Sequence, residues 1–271
     1  MTLAILVNGV APPDLGHAIA ANDRGLHYGD GVFETALLTD GRVRFLNDHL
    51  QRLFDGCERL GIRAPDRATL VSEITRVTAA LRGAVLKIVV TRGAGTRGYR
   101  PNQEIESTRV VAVYAAPGPS PARGISLRWC ETRLGRNARL AGIKHLNRLE
   151  QVLAQAEWRD ESIDEGLMLD TEGELVCATA GNVFIVREGV LLTPDLRFCG
   201  VRGIMRAQVL RAAAQLQIAT SEEPLWPHDV EAASEVFVTN AVRGIRSAVA
   251  LGSLRWAGGA TAGRLKAALG L

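Results

Sequence analysis

Three prolines fall within five residues at Pro117-Gly118-Pro119-Ser120-Pro121, and that cluster constrains the fold more than any other stretch of the chain. Each proline fixes φ and lacks an amide donor, so neither a helix nor a central strand can run through it. The 271 residues are therefore expected to fold as a smaller N-terminal α/β domain over 1–116, a linker at 117–121 and a larger C-terminal α/β domain over 122–271. Bodies of this size can each bury a substantial core.

Apolar and β-branched runs predict the strands. In the first half these cover residues 3–7, closed by an Asn8-Gly9 turn, then 32–38, 43–45, 85–90 and 110–114. The stretch 23–31 is polar and glycine-rich. Leu50, Leu53, Phe54, Cys57 and Leu60 recur at helical spacing, which predicts a helix capped at Asn47 or Asp48 and ended by Gly61. His49 lies on a face of that helix, and Arg52 lies off its apolar stripe, available for another contact. A second helix is expected over about 69–81, and residues 92–101 form a flexible basic loop. In the second half, strands at 125–129, 166–170, 175–178, 183–186, 190–193, 235–239 and 245–249 alternate with helices at 147–159 and 203–216. The first of these helices places Leu146, Leu149, Leu153 and Ala156 on one face.

Charge and composition exclude several classes. The formal net charge is +3, and the arginines are dispersed among acids, without the basic face or arm of a nucleic-acid binder. Small anionic molecules suit this balance. Cys57, Cys130, Cys177 and Cys199 form no C-x-x-C pair, which argues against a zinc or redox motif and for a reducing compartment. The histidines His17, His27, His49, His145 and His228 show no metal-ligand spacing. The first apolar run, 3–7, lacks a basic start and is short for a signal peptide, and no stretch approaches the ~20 apolar residues of a membrane span. A cytoplasmic protein without membrane or nucleic-acid partners is expected.

Lys144 is one of three lysines beside 29 arginines. An amine can lose its proton and condense with an aldehyde, which a guanidinium cannot. The stretch alone reads equally well as a surface lysine at a helix start. Two glycine-marked turns are candidate anion cradles: Cys199-Gly200-Val201-Arg202-Gly203, which opens a helix, and Thr239-Asn240-Ala241 at a strand end. Each is also compatible with an ordinary turn. A reactive lysine with two phosphate cradles points toward pyridoxal phosphate.

Several motifs carry a resemblance. They are Asp23-Arg24-Gly25 with Tyr28-Gly29-Asp30-Gly31-Val32-Phe33-Glu34-Thr35, His49-Leu50-Gln51-Arg52-Leu53, Arg97-Gly98-Tyr99, Gly142-Ile143-Lys144-His145-Leu146-Asn147-Arg148-Leu149-Glu150, Asn182-Val183-Phe184, Gly203-Ile204-Met205-Arg206 and Glu235-Val236-Phe237-Val238-Thr239-Asn240-Ala241. Together they resemble the fold-type IV pyridoxal-phosphate enzymes, the group of branched-chain and D-amino-acid aminotransferases and aminodeoxychorismate lyases. The Lys-His-Leu-Asn-Arg-Leu-Glu run and Arg-Gly-Tyr are most similar to the lyases.

The resemblance implies two α/β domains (α+β type) with the cofactor, pyridoxal 5′-phosphate, between them, usually paired as a homodimer. It implies that Lys144 in the C-terminal domain holds the cofactor as a Schiff base and that Arg52 binds its phosphate. Backbone amides of Val201 and Arg202 form one cradle, and Asn240 and Ala241 the other. Arg148 lies beside the cofactor ring. Tyr28, Arg97 and Arg148 are the candidates for substrate contacts. The activity implied is the conversion of 4-amino-4-deoxychorismate to 4-aminobenzoate and pyruvate in folate synthesis; an aminotransferase on the same scaffold is the alternative, and a non-catalytic cofactor- or nucleic-acid-binding protein a remote one.

One position departs from the pattern. Many members place a glutamate where this chain has Cys177, and that carboxylate keeps the pyridine nitrogen protonated. A thiol offers only a weak hydrogen bond. Glu174 lies at an odd offset from Cys177, which on a regular strand turns it to the opposite face. Transamination depends on a protonated ring as electron sink, whereas a lyase that forms an aromatic ring has aromatisation as driving force. The departure therefore favours the lyase.

Overall fold

The computed structural model describes residues 1–15, 18–101, 104–118 and 123–271. Pro119, Ser120 and Pro121 of the expected linker lie outside the described residues, as does His17. The chain divides into two compact units, Met1–Gly118 with Ile143–Asn147, and Pro119–Gly142 with Arg148–Leu271. The segment carrying Lys144 thus groups with the first unit, where its position in sequence assigned it to the C-terminal domain. The physical reason is backbone pairing: Phe33 N–H donates to Lys144 O at 3.0 Å and Leu146 N–H to Gly31 O at 2.9 Å.

The first unit runs β1 (Thr2–Val7), α1 (Arg24–Tyr28), β2 (Gly31–Thr39), β3 (Arg42–Val43), α2 (Leu46–Leu60), α3 (Arg67–Thr78), β4 (Gly83–Thr91) and β5 (Thr108–Tyr114). Its antiparallel sheet has the order β1-β5-β4-β2-β3. The two-residue strand period sends Val32, Ala36 and Leu38 of β2, with Leu86, Ile88 and Val90 of β4, to one face. Leu50, Leu53 and Cys57 of α2 and Leu70 and Ile74 of α3 cover that face. Burying each of these Leu or Ile side chains stabilises the unit by about 1.5–3 kcal/mol.

Two local features differ from the pattern. The polar stretch at 23–31 holds α1, because the Asp23 carboxylate caps Gly25 N–H at 2.8 Å and Gly29, with φ +63°, closes the turn. Phe45 is not in a strand: at φ +52° it turns the chain into α2, which begins at Leu46 without a side-chain cap.

The second unit contains β6 (Ile125–Trp129), α4 (Leu149–Gln155), β7 (Glu165–Leu169), β8 (Leu175–Ala178), β9 (Asn182–Arg187), β10 (Val190–Pro194), α5 (Ile204–Gln215), β11 (Thr220–Glu223), α6 (Pro227–Glu231), β12 (Glu235–Asn240), β13 (Gly244–Leu251), β14 (Leu254–Arg255) and α7 (Ala260–Leu269). The sheet order is β11-β10-β9-β12-β13-β6-β7-β8, with β14 on β13. Ala178 N–H donates to Gly181 O at 2.8 Å, so β8 turns back onto β9 and the sheet curls. The sheet is buried on both sides. Val183 and Ile185 of β9 join one core cluster, and Phe184 and Val186 join another against α5 and α7. Two-sided burial explains the continuous apolar run of β8.

The helix expected over 147–159 is shorter, and its apolar face is not covered within the chain: Leu149 and Leu153 are 68% and 52% exposed, while Ala154 is buried. Strand β11 and helices α6 and α7 carry no strong apolar period and escape sequence reasoning. Among the described residues no helix is long and apolar enough to cross a membrane.

Candidate active site

In the first unit, residues 143–147 lie along the part of β2 that β3 does not reach, with Val32 bridged to His145. Register then puts Lys144 beside Phe33. The Lys144 Nζ lies 4.2 Å from the centroid of the Phe33 ring, a cation–π distance. Lys87 Nζ lies 5.7 Å from the same centroid.

The next residue of β2 faces the other way. Glu34 enters the core face between Val32 and Ala36 and is 1% exposed. Its Oε1 accepts from Arg52 Nε at 2.7 Å, and its Oε2 accepts from Arg52 Nη2 at 2.6 Å. His49 Nδ1 meets Oε2 at 2.6 Å. Burial alone would raise the Glu34 carboxyl, but the Arg52 charge and the hydrogen bonds from His49 and Arg52 hold it below the usual carboxylate range. An ionised carboxylate can only accept, so His49 Nδ1 carries the proton. Arg52 is thus tied to Glu34 along one edge of its guanidinium, and the helix-face residue His49 is buried. The inward position of Glu34 in the β2 alternation was the signal for this cluster.

The basic loop at 92–101 is anchored at several points. Arg24, 4% exposed, donates to Gly98 O at 2.8 Å and Tyr99 O at 3.1 Å. Tyr28 Oη accepts from Gly98 N–H at 3.1 Å. Arg92 pairs with Asp30 at 2.7 Å and donates to Leu60 O at 2.8 Å. Arg97 stands exposed on this held loop.

In the second unit, Gly142 bridges Val201. Gly142 N–H donates to Gly200 O at 2.9 Å, and Arg202 N–H donates to Gly142 O at 3.2 Å. Of the two cradle amides named from sequence, that of Arg202 therefore has a protein partner. Asn182 Nδ2 donates to Val201 O at 2.8 Å and ties β9 to the turn. Helix α5 then starts at Ile204 with no side-chain cap on its first amides. Thr239 Oγ1, at the end of β12, is buried without a partner among the described residues. Asn240 Oδ1 accepts from Val242 N–H at 3.1 Å and Arg243 N–H at 2.7 Å, which leads the chain past Ala241 into β13.

Cys177 is buried in a cluster with Cys130, Met168 and Leu196. Burial pushes its thiol up to about 12, with the nearby Arg148 charge acting only weakly against it. Burial likewise lowers the Arg148 guanidinium. Glu174 is engaged elsewhere: both its oxygens accept from Arg197 Nη2, at 2.8 and 3.0 Å.

A family model described as Amino-transferase class IV matches residues 31–251. The chain belongs to the class IV aminotransferase family. Among its relatives, a putative branched-chain-amino-acid aminotransferase of Methanocaldococcus jannaschii is 35% identical, covering 88% of this chain and 84% of the relative. An aminodeoxychorismate lyase of Vibrio harveyi is 32% identical over 84% of this chain and 85% of its own. The crystal structure of 4-amino-4-deoxychorismate lyase from Pseudomonas aeruginosa superposes with a TM-score of 0.92 at 41% identity, covering 98% of this chain and 97% of that one.

Class IV enzymes depend on pyridoxal phosphate. The residues present fit that cofactor. The uncapped start of α5 and the orphaned Thr239 Oγ1 are donors suited to a phosphate. A Cβ on Gly203 would collide with Asn182 Oδ1, so this turn keeps its backbone bare. Among the described residues no cluster of His, Cys, Asp and Glu suits a metal ion.

Proposed function

We propose that this class IV enzyme is an aminodeoxychorismate lyase, converting 4-amino-4-deoxychorismate to 4-aminobenzoate and pyruvate in folate synthesis, and that it works as a homodimer. The observation that carries this reading is Cys177, a buried neutral thiol where the family pattern has a carboxylate. The 41% identity to the Pseudomonas aeruginosa lyase supports it.

Lys144 Nζ would be the covalent attachment point for pyridoxal phosphate. Arg52, the start of α5 with the Val201 amide, and the turn at Asn240-Ala241 would hold its phosphate, while the Arg202 amide, bonded to Gly142 O, would shape the turn. When bound, the cofactor supplies an electron sink for the carbon beside the substrate nitrogen. Lys144 Nζ takes the proton from that ring carbon. The enolpyruvyl C–O bond would break with its electron pair on oxygen, the released enolate would gain at carbon a proton equivalent to the one Lys144 takes and so become pyruvate, and the ring would become aromatic. Arg97 and Arg148 meet the substrate carboxylates, with Tyr28 beside them. With the ring nitrogen beside Cys177, the neutral thiol would give it no ionic partner and the sink would be weaker; aromatisation would make a lyase tolerant of that.

The 35% identity to the Methanocaldococcus jannaschii protein favours a second reading, an aminotransferase on the same scaffold. Assaying 4-aminobenzoate formation from aminodeoxychorismate, with Lys144→Ala alongside, separates the two. Product from wild type and none above background from the variant is expected. No product from wild type, with keto acid release from L-leucine or D-alanine, would establish the second reading instead.

A further inference from the structure

We propose that Phe198, clamped by the guanidinium groups of Arg136 and Arg197, is a positioning residue that holds the turn 199–202 in the shape that receives a phosphoryl group at the start of α5. The inference rests on the reading of that turn as a phosphate cradle and goes a step beyond it.

Backbone contacts give the turn its direction. Asn137 N–H donates to Phe198 O at 2.7 Å, and Gly142 N–H donates to Gly200 O at 2.9 Å. Gly200 stands at φ +86°, where a side chain would be strained. The parallel bridge from Gly142 to Val201 uses Gly200 O and the Arg202 N–H. It leaves the Val201 N–H and C=O on the opposite side, where Val201 O accepts from Asn182 Nδ2 at 2.8 Å. Asn182 pairs with Thr239 across β9 and β12, two residues along from the stacked pair Phe184 and Phe237, which packs against α5. Strand alternation therefore puts Thr239 on that same face, towards the uncapped start of α5. Its Oγ1 is buried without a partner among the described residues. A buried hydroxyl beside a bare helix start suits an anion.

Phe198 fixes the entry to this turn. It is half-buried, and Arg136 Cζ and Arg197 Cζ each lie 4.7 Å from the centroid of its ring. Two like charges at one ring repel each other, and three carboxylates offset that. Asp170, 2% exposed, accepts from Arg136 Nε at 2.7 Å. Glu174 Oε1 stands 3.0 Å from Arg136 Nη2 and 2.8 Å from Arg197 Nη2, so it bridges the two arginines. Asp195 pairs with Arg197 at 2.5 Å. Asp170 and Glu174 flank the turn between β7 and β8, where Glu174 N–H donates to Asp170 Oδ1 at 3.0 Å. The clamp is thereby anchored to the sheet. Its cations are engaged by carboxylates and by the ring, so it acts on the turn through Phe198 and is not itself an anion site. A turn held beforehand loses less freedom when a phosphate binds.

The test uses full-length protein stripped of cofactor and titrated with pyridoxal 5′-phosphate and with pyridoxal, which lacks the phosphate. The readout is the ratio of the two dissociation constants. In Phe198→Leu that preference for the phosphorylated form is expected to fall about three- to tenfold, the scale of a cation–π contact, with pyridoxal affinity unchanged. Phe198→Tyr keeps the ring face and should keep the wild-type preference. Arg136→Lys keeps the charge but loses the planar group that lies on the ring; it should lower the preference about threefold and serves if Phe198→Leu does not fold. A lower thermal midpoint with the preference intact in the Phe198→Leu and Arg136→Lys variants overturns the inference, as does a loss in Phe198→Tyr as large as in Phe198→Leu, while Gly203→Ala still lowers the preference. If Gly203→Ala keeps the wild-type preference, the reading of the turn as a cradle fails and the inference with it.

Discussion

The Lys144 Nζ stands 4.2 Å from the centroid of the Phe33 ring. Backbone pairing between the 143–147 segment and β2 places it there, so the ring contributes position and the negative face of its π-system. Glu34, one residue on, serves Arg52 on the opposite face of the same strand. Two adjacent residues of β2 thus steer the two cationic side chains expected to matter most.

Phe33→Leu keeps an apolar side chain on that face and removes the quadrupole. A cation–π contact contributes about 0.5–2 kcal/mol, so kcat for 4-aminobenzoate formation is expected to fall roughly 2- to 30-fold, with little change in Tm. A steady-state assay giving a wild-type kcat would show that the ring does not position Lys144.

Cys177→Glu places a carboxylate where the family pattern has one. Any conversion of L- or D-amino acids to keto acids is expected to rise above the wild-type rate, and Tm to drop because a charged group enters a buried cluster. An unchanged amino-acid reaction would remove the electron-sink argument for the lyase.

With its thiol pushed up to about 12, native Cys177 is expected to resist alkylation. At pH 8 its thiolate fraction is on the order of 1 in 10⁴. Iodoacetamide followed by mass spectrometry of peptides should find Cys177 labelled only after denaturation. Rapid labelling of the native protein would contradict its burial.

Asp30 links the start of β2 to the loop. Burial would raise its carboxyl, but hydrogen bonds from Arg92 and Arg24 and their charges lower it below the ordinary 3.8. A depressed folded-state value contributes stability that is present above 3.8 and lost as pH falls through the lower folded value. Asp30→Asn is expected to destabilise by about 1–3 kcal/mol at pH 7 and by much less near pH 2. Denaturant unfolding at the two pH values checks this, and an equal loss at both would place the effect in packing rather than charge.

Gly203→Ala forces a Cβ against Asn182 Oδ1, the residue whose Nδ2 holds Val201 O. The turn must shift, so pyridoxal phosphate affinity is expected to fall about tenfold or more, on the scale of a lost supporting hydrogen bond. Wild-type affinity by absorbance titration would show that this turn is not a phosphate cradle.

Much of the fold is legible in the residues because it rests on local period. The strand runs and the Leu50–Leu53–Cys57 stripe of α2 follow from alternation and 3.6-residue spacing, and the family motifs around Lys144 are contiguous in the chain. What period does not encode came out differently. Leu149 and Leu153 share a helical face yet stay exposed, since spacing shows that a face is apolar but not what covers it. Helix α7 and strand β11 are weakly patterned and form against partners distant in sequence.

By itself the sequence determined the element types, the proline break, the candidate lysine and the absent glutamate at position 177, all properties of neighbouring residues. Tertiary structure alone decided that Lys144 packs with β2 and lies over Phe33, that Arg24 pins the Arg97 loop, and that Glu34, His49 and Arg52 converge on one carboxylate. Each of these depends on side chains that meet only after strands and helices have paired across long loops, so no window of sequence contains them.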